Sequence, residues 1–142
     1  MNGFYACLKK LTLYNIKRLN LRKYEVASLL VLLTIFNSVL MVTGQTLWKL
    51  GATGKDIHSL GQLLRLFLTP YVIAGLMVYA CSSVLWIYIL NKGELSYVYP
   101  IQSTAFIFAL IIGTTIFKEQ LTPSKIIGVL VICLGVIIIT RK

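Results

Sequence analysis

The stretch SYVYPIQSTAFIFALIIGTTIF, Ser96 to Phe117, decides the fold. It carries no charge. At about 1.5 Å per residue it reaches roughly 33 Å, enough to cross the hydrocarbon core of a bilayer. Yet its first third holds Tyr97, Tyr99, Pro100, Gln102, Ser103 and Thr104. A helix that only has to sit in lipid needs none of these. A helix that lines a polar cavity, or presents a face to a partner, does.

The whole chain agrees with a membrane setting. It has 142 residues, of which 58% are hydrophobic and 13% charged, with a mean hydropathy of +0.84. Soluble domains carry about 25% charged residues. Fourteen Lys and Arg against four Asp and Glu give a net charge of +10. Most of that excess lies outside the apolar runs, so it sets membrane orientation and does not point to nucleic acid. Cys7, Cys81 and Cys133 are odd in number and match no metal spacing. Two of them sit in apolar runs, where cysteine acts as a small hydrophobe. The one histidine, His58, falls in a polar loop and reads as a surface residue. No nucleophile–base set, phosphate-cradling glycine loop or metal-ligand cluster is present, so neither an enzyme nor a cofactor or metal is expected.

Residues 1–25 form a basic leader with Lys9, Lys10, Lys17, Arg18, Arg22 and Lys23 among scattered apolar residues. Its loosely amphipathic pattern suits a helix on an anionic leaflet, and equally a cytoplasmic tail that sets topology. Val26 to Trp48 is the first span, too long for a signal-peptide core. Thr34, Ser38, Met41, Gln45 and Trp48 follow a 4-3-4-3 spacing and share one face, with Asn37 one step round. That face is either hydrogen-bonding glue between helices or a cavity lining. Lys49 ends the span, free to snorkel or to receive an anion.

A connector, Gly51 to Pro70, contains an amphipathic segment built on Leu60, Leu63, Leu64, Phe67 and Leu68. Tyr71 to Leu90 is the second span. The turn Asn91 to Glu94 folds it into a hairpin with the third, Leu95 to Phe117. Pro100 leaves the Ser96 carbonyl without its helical donor. Thr122 and Pro123 open the fourth span, which runs to Thr140. Gly128 and Gly135 lie seven apart on one stripe that permits close helix approach. The expected fold is an all-α membrane protein of four spans, about 26–48, 71–90, 95–117 and 123–140. Nine Lys and Arg on the leader side against five on the other place both termini in the cytoplasm.

Four short spans with these local patterns resemble the four-span branch of the drug/metabolite transporter superfamily. The residues that carry the likeness are Gly44 to Lys49 (GQTLWK), Tyr97 to Pro100 (YVYP), Glu119, and Gly128 with Gly135. The likeness runs from about residue 30 to the C-terminus and leaves the leader out. Small multidrug resistance proteins, one branch, carry a membrane glutamate where this chain has Met41, and an aromatic where it has Pro100. The subunits that flip aminoarabinose-phosphoundecaprenol look closer, sharing Gly44, Gln45, Lys49, Tyr99 and Pro100. The resemblance implies a four-helix bundle that works as a homodimer or heterodimer, with the fourth span at the seam.

The leading expectation is a translocator of a polyprenyl-phosphate-linked sugar or similar anionic lipid in the cell membrane. Asn37, Ser38, Gln45, Tyr97, Tyr99, Gln102 and Ser103 would replace water around the sugar. Trp48 and Tyr97 would stack on it, Lys49 would take the phosphate, and Pro100 would act as a hinge. One alternative is an exporter of small or cationic solutes, marked by drug-dependent proton release. Another is a non-transporting membrane subunit of a glycosyltransferase system, marked by co-purification with the transferase.

Overall fold

The computed structural model describes the backbone of residues 2–55 and 58–140, and side chains from residue 25 onward within those ranges. Among the described residues six helices follow one another: α1 Asn2–Ala52, α2 Leu60–Phe67, α3 Pro70–Lys92, α4 Leu95–Gln102, α5 Ala105–Thr115 and α6 Pro123–Thr140. Four segments among the described residues are long and apolar enough to cross a membrane: Glu25–Ala52, Pro70–Lys92, Leu95–Thr115 and Pro123–Thr140. The chain is a multi-pass, all-helical membrane protein, and no strand occurs among the described residues.

Helix α1 runs unbroken through residue 25, where composition changes from basic to apolar. The change marks where hydrocarbon can begin, and it leaves the backbone unaltered. The amphipathic face and the charges expected of residues 1–25 concern side chains outside the described residues, as do Arg141 and Lys142. In the connector, α2 starts with a reciprocal cap. Ser59 Oγ accepts from the Gln62 amide, and the Gln62 side chain accepts from the Ser59 amide. Pro70 sits in the first turn of α3 and starts the second span without kinking it.

Spans one and two meet along a seven-residue register. Leu30, Asn37, Gly44 and Gly51 are spaced by seven on α1; Ile89, Ser82 and Gly75 are spaced by seven on α3. Leu30 packs with Ile89 and Val98 in the apolar core, flanked by Leu33, Leu85, Trp86, Leu90 and Tyr97. Ser82 then donates to Asn37 Oδ1 at 3.0 Å. Gly44 faces Gly75 so closely that a methyl group on Gly75 would lie 2.7 Å from the Gly44 carbonyl oxygen and 2.5 Å from Trp48 Cδ1. A methyl on Gly51 would lie 2.9 Å from Val72 Cγ2. Small residues thus let two backbones touch where lipid supplies no hydrophobic drive.

The third span is two helices. Its break falls at Ser103 and Thr104, three residues beyond Pro100. There the backbone tightens to three-residue bonds: Ser103 N to Pro100 O at 3.1 Å, Thr104 N to Ile101 O at 3.0 Å, and Phe106 N to Ser103 O at 3.0 Å. Ser103 Oγ also donates to Pro100 O at 2.6 Å. A hydroxyl that bonds back to its own helix competes with the helical ladder, which is why the bend sits at the serine and not at the proline. Helix α6 begins after Thr122, whose carbonyl accepts from the Lys125 and Ile126 amides. It buries no residue within the chain.

Candidate functional site

The bend in the third span leaves polar backbone inside the membrane, and side chains of span one answer it. Phe106 N turns to Ser103 O, so Gln102 O lacks its usual helical donor. Ser38 Oγ reaches that oxygen at 3.3 Å and the Thr34 carbonyl at 3.0 Å. Thr104 Oγ1 donates to Ser38 Oγ at 3.3 Å. Asn37, 2% exposed, accepts from Ser82 at 3.0 Å and donates to Gln102 Oε1 over a long 3.5 Å. Spans one, two and three are therefore tied by one knot of uncharged polar groups, each bond worth about 0.6–2 kcal/mol in a membrane.

Beside the knot lies a cleft of about 800 Å³. All four spans contribute to its wall. The polar residues there are Asn37, Gln45, Ser82, Ser83, Gln102 and Ser103; Tyr79, Trp86, Tyr99 and Phe106 supply aromatic faces. Trp86 and Tyr99 meet edge-on, with centroids 6.0 Å apart and ring planes at 61°. Gln45 is exposed to this space and has no hydrogen-bond partner among the described residues. No acidic side chain lines the wall, and Met41 does.

Of the residues singled out in the sequence, Asn37, Gln45, Tyr99, Pro100, Gln102 and Ser103 share this wall. Ser38 is fully buried behind it. Trp48 packs against Tyr79, centroids 5.1 Å apart, and its Nε1 is buried without a partner among the described residues. Tyr97 packs against the Leu30–Ile89–Val98 core instead. Residues two apart on a helix point about 200° apart, so Tyr97 and Tyr99 cannot share a face. Gly135 borders the cleft, whereas Gly128 is exposed, and beyond their own helix turn no atom among the described residues lies within 4 Å of where a Cβ on either would stand.

Lys49 lies one turn beyond Gln45 on α1, outside the cleft wall. It pairs with Glu119 and sits 4.2 Å from the Phe117 ring centroid. Lys125 approaches the other carboxylate oxygen at 3.7 Å. The Lys49 hydrogen bond and charge hold the Glu119 carboxyl below its ordinary value against the opposing effect of desolvation, and Lys125 adds a lesser pull in the same direction as Lys49. Tyr79, Ser82, Ser83, Trp86 and Phe106 were missed in the sequence as site residues. The first four sit in the second span, an apolar run that nothing sets apart as a wall. Among the described residues no cluster of His, Cys, Asp or Glu can hold a metal.

The family description "EamA-like transporter family" matches residues 12–141. A protein of Proteus mirabilis named as a probable 4-amino-4-deoxy-L-arabinose-phosphoundecaprenol flippase subunit ArnF is 30% identical over 120 residues, 76% of this chain and 89% of the relative. The ArnF of Aeromonas hydrophila, named in the same words, is 28% identical over 123 residues, 78% of this chain and 79% of the relative. A probable subunit ArnE of Aeromonas hydrophila is 28% identical over 109 residues, 77% of this chain and 95% of the relative. No solved structure matches the chain.

Proposed function

The chain belongs to the EamA-like transporter family, and on that premise we propose that it passes the headgroup of a polyprenyl-phosphate-linked sugar across the membrane. One observation carries this: the intramembrane cleft has on its wall an amide, Gln45, without a partner among the described residues, and aromatic faces beside it. A sugar leaving water loses hydrogen bonds that must be replaced, at a cost of several kcal/mol per unsatisfied group. Gln45 offers such bonds outright, Gln102, Ser103 and Asn37 add the lone pairs and protons their protein partners leave over, and Tyr99 and Trp86 offer flat apolar faces to ring C–H groups. Lys49, one turn further along, meets the phosphate. The polyprenyl tail stays in lipid beside the bend at Pro100 to Thr104, which acts as the hinge of the lateral opening.

The names of the relatives support the substrate class, since they are described as flippase subunits for a lipid-linked amino sugar. The word subunit also supports a partner. Helix α6 forms one wall of the cleft yet presents Ile127, Leu130, Val131, Leu134 and Ile138 outward. A second four-span subunit, a copy or a relative, would close that side along Gly128 and Gly135. Both termini face the cytoplasm in this account, because the Lys and Arg excess is on the leader side.

Proton-driven drug exchange has no acid on the cleft wall to work with. The test is reconstitution in liposomes with a polyprenyl-phosphate-linked amino sugar, following exposure of its amine to a membrane-impermeant reagent. The protein should speed that exposure over empty liposomes, and Gln45→Ala should remove most of the gain. Headgroup exposure no faster than in empty liposomes would rule the proposal out.

A further inference from the structure

Two lysines from different spans converge on one carboxylate at the end of the bundle opposite Glu25. Lys49 in the last turn of α1 pairs with Glu119 Oε1. Lys125 in the first turn of α6 lies 3.7 Å from Oε2. Lys118 is adjacent and exposed, with no ion pair among the described residues. Two ammonium groups thus meet a single acid, and with Lys118 next in sequence the net charge of these four residues stays positive after pairing.

The geometry points to an anion site in which Glu119 is an internal stand-in: the phosphate of the lipid-linked sugar displaces the carboxylate and takes Lys49 and Lys125 in its place. This rests on the reading of the chain as a translocator of such a lipid, and it deepens that reading by naming a second cation and a competitor.

Three features make the exchange feasible. The pair is open to solvent, with the Lys49, Glu119 and Lys125 side chains 51%, 40% and 45% exposed, and an ion pair in such a setting is weakly held. Lys49 has a second hold on the Phe117 ring, 4.2 Å from its centroid, so its ammonium stays placed when the acid leaves. Glu119 is mounted on a turn that aims it. Lys118 adopts a left-handed conformation, φ 51°, which brings the Glu119 amide 3.0 Å from the Gly113 carbonyl. The carboxylate then folds over Gly113, where a side-chain methyl would lie 3.2 Å from Oε2. A phosphodiester offers two charged oxygens set wider apart on a tetrahedral phosphorus than those of a carboxylate, so it can satisfy both lysines at once where the carboxylate reaches Lys125 only at 3.7 Å. The site is one helical turn from Gln45 in the cleft, so a headgroup can hold both together.

The test measures binding of a bare polyprenyl phosphate to the full-length protein in nanodiscs, against uncharged polyprenol of equal length and against inorganic phosphate. Glu119→Gln should raise affinity for polyprenyl phosphate about three- to tenfold, because the competitor is gone and its charge with it. Lys125→Gln and Lys49→Gln should each lower it by about threefold or more, and none of the three should change polyprenol binding. An equal gain for inorganic phosphate in Glu119→Gln would support the exchange and assign free phosphate as its source. Unchanged or weaker polyprenyl phosphate binding in Glu119→Gln would overturn it. That result leaves the translocator reading standing if the wild-type protein still speeds headgroup exposure in liposomes; only failure there removes the reading itself.

Discussion

Two polar regions share the interior of this bundle and use their hydrogen bonds differently. In the knot, Asn37, Ser38, Ser82, Gln102 and Thr104 bond to one another or to the freed carbonyl of a bent helix. One turn and more further along α1, Gln45 faces the cleft with no partner among the described residues. The same residue chemistry is structural in one place and available to a ligand in the other. Polarity in a membrane helix therefore marks a helix that does not face lipid. Only the partner list tells whether the group is already satisfied.

Breaking the knot should have the largest effect. Asn37→Leu leaves Ser82 Oγ and the Gln102 amide without their partner in a buried place, at a cost of about 1–3 kcal/mol. Thermal unfolding in detergent should shift down and transport should fall with it. Gly75→Ala tests the tight crossing next to both regions. Its methyl would sit 2.7 Å from a backbone oxygen that cannot swing aside, so a loss of about 1–3 kcal/mol is expected in the same assay.

Substitutions on the open side should separate function from stability. Gln45→Ala should cut headgroup transport by about tenfold, the equivalent of one hydrogen bond to a sugar in a dry site, with unfolding within ~0.5 kcal/mol of wild type. A matched loss of stability would place Gln45 with the knot. The smallest effect belongs to Glu119. Its carboxyl is held below its ordinary value by Lys49 and Lys125, so the ion pair stabilises the fold above the unfolded value near 4.3 and fades as pH falls through the folded value. Unfolding curves of wild type and Glu119→Gln should differ alike from pH 7 to about 5, then converge in more acid.

The spans were legible because each is a charge-free run bounded by Lys, Glu, Gly or Pro, and bilayer thickness fixes their length. The hairpin at Asn91 to Glu94 and the start of α6 at Pro123 followed from turn chemistry. The site was half legible. The polar stripe through Ser38, Met41 and Gln45 runs along the cleft side of α1, but the residue at its centre is Asn37, one position away, because the register with α3 sets the facing. Tyr97 and Tyr99 looked equivalent until helix rotation put one in the core and one on the cleft. Trp86 carried no mark within its apolar run. The Lys49–Glu119 pair joins residues 70 apart in sequence, a closeness that only the packing of spans one and three creates.

Accessibility at position 45 tests the distinction most directly. In a chain with Cys7, Cys81 and Cys133 replaced by alanine, Gln45→Cys would be labelled with a membrane-impermeant thiol reagent, with and without polyprenyl-phosphate-linked amino sugar. The cysteine should react from water, and the lipid-linked sugar should slow it several-fold while undecorated polyprenol does not. A thiol that never reacts, or one whose rate ignores the sugar lipid, would contradict the assignment of this cleft to a headgroup.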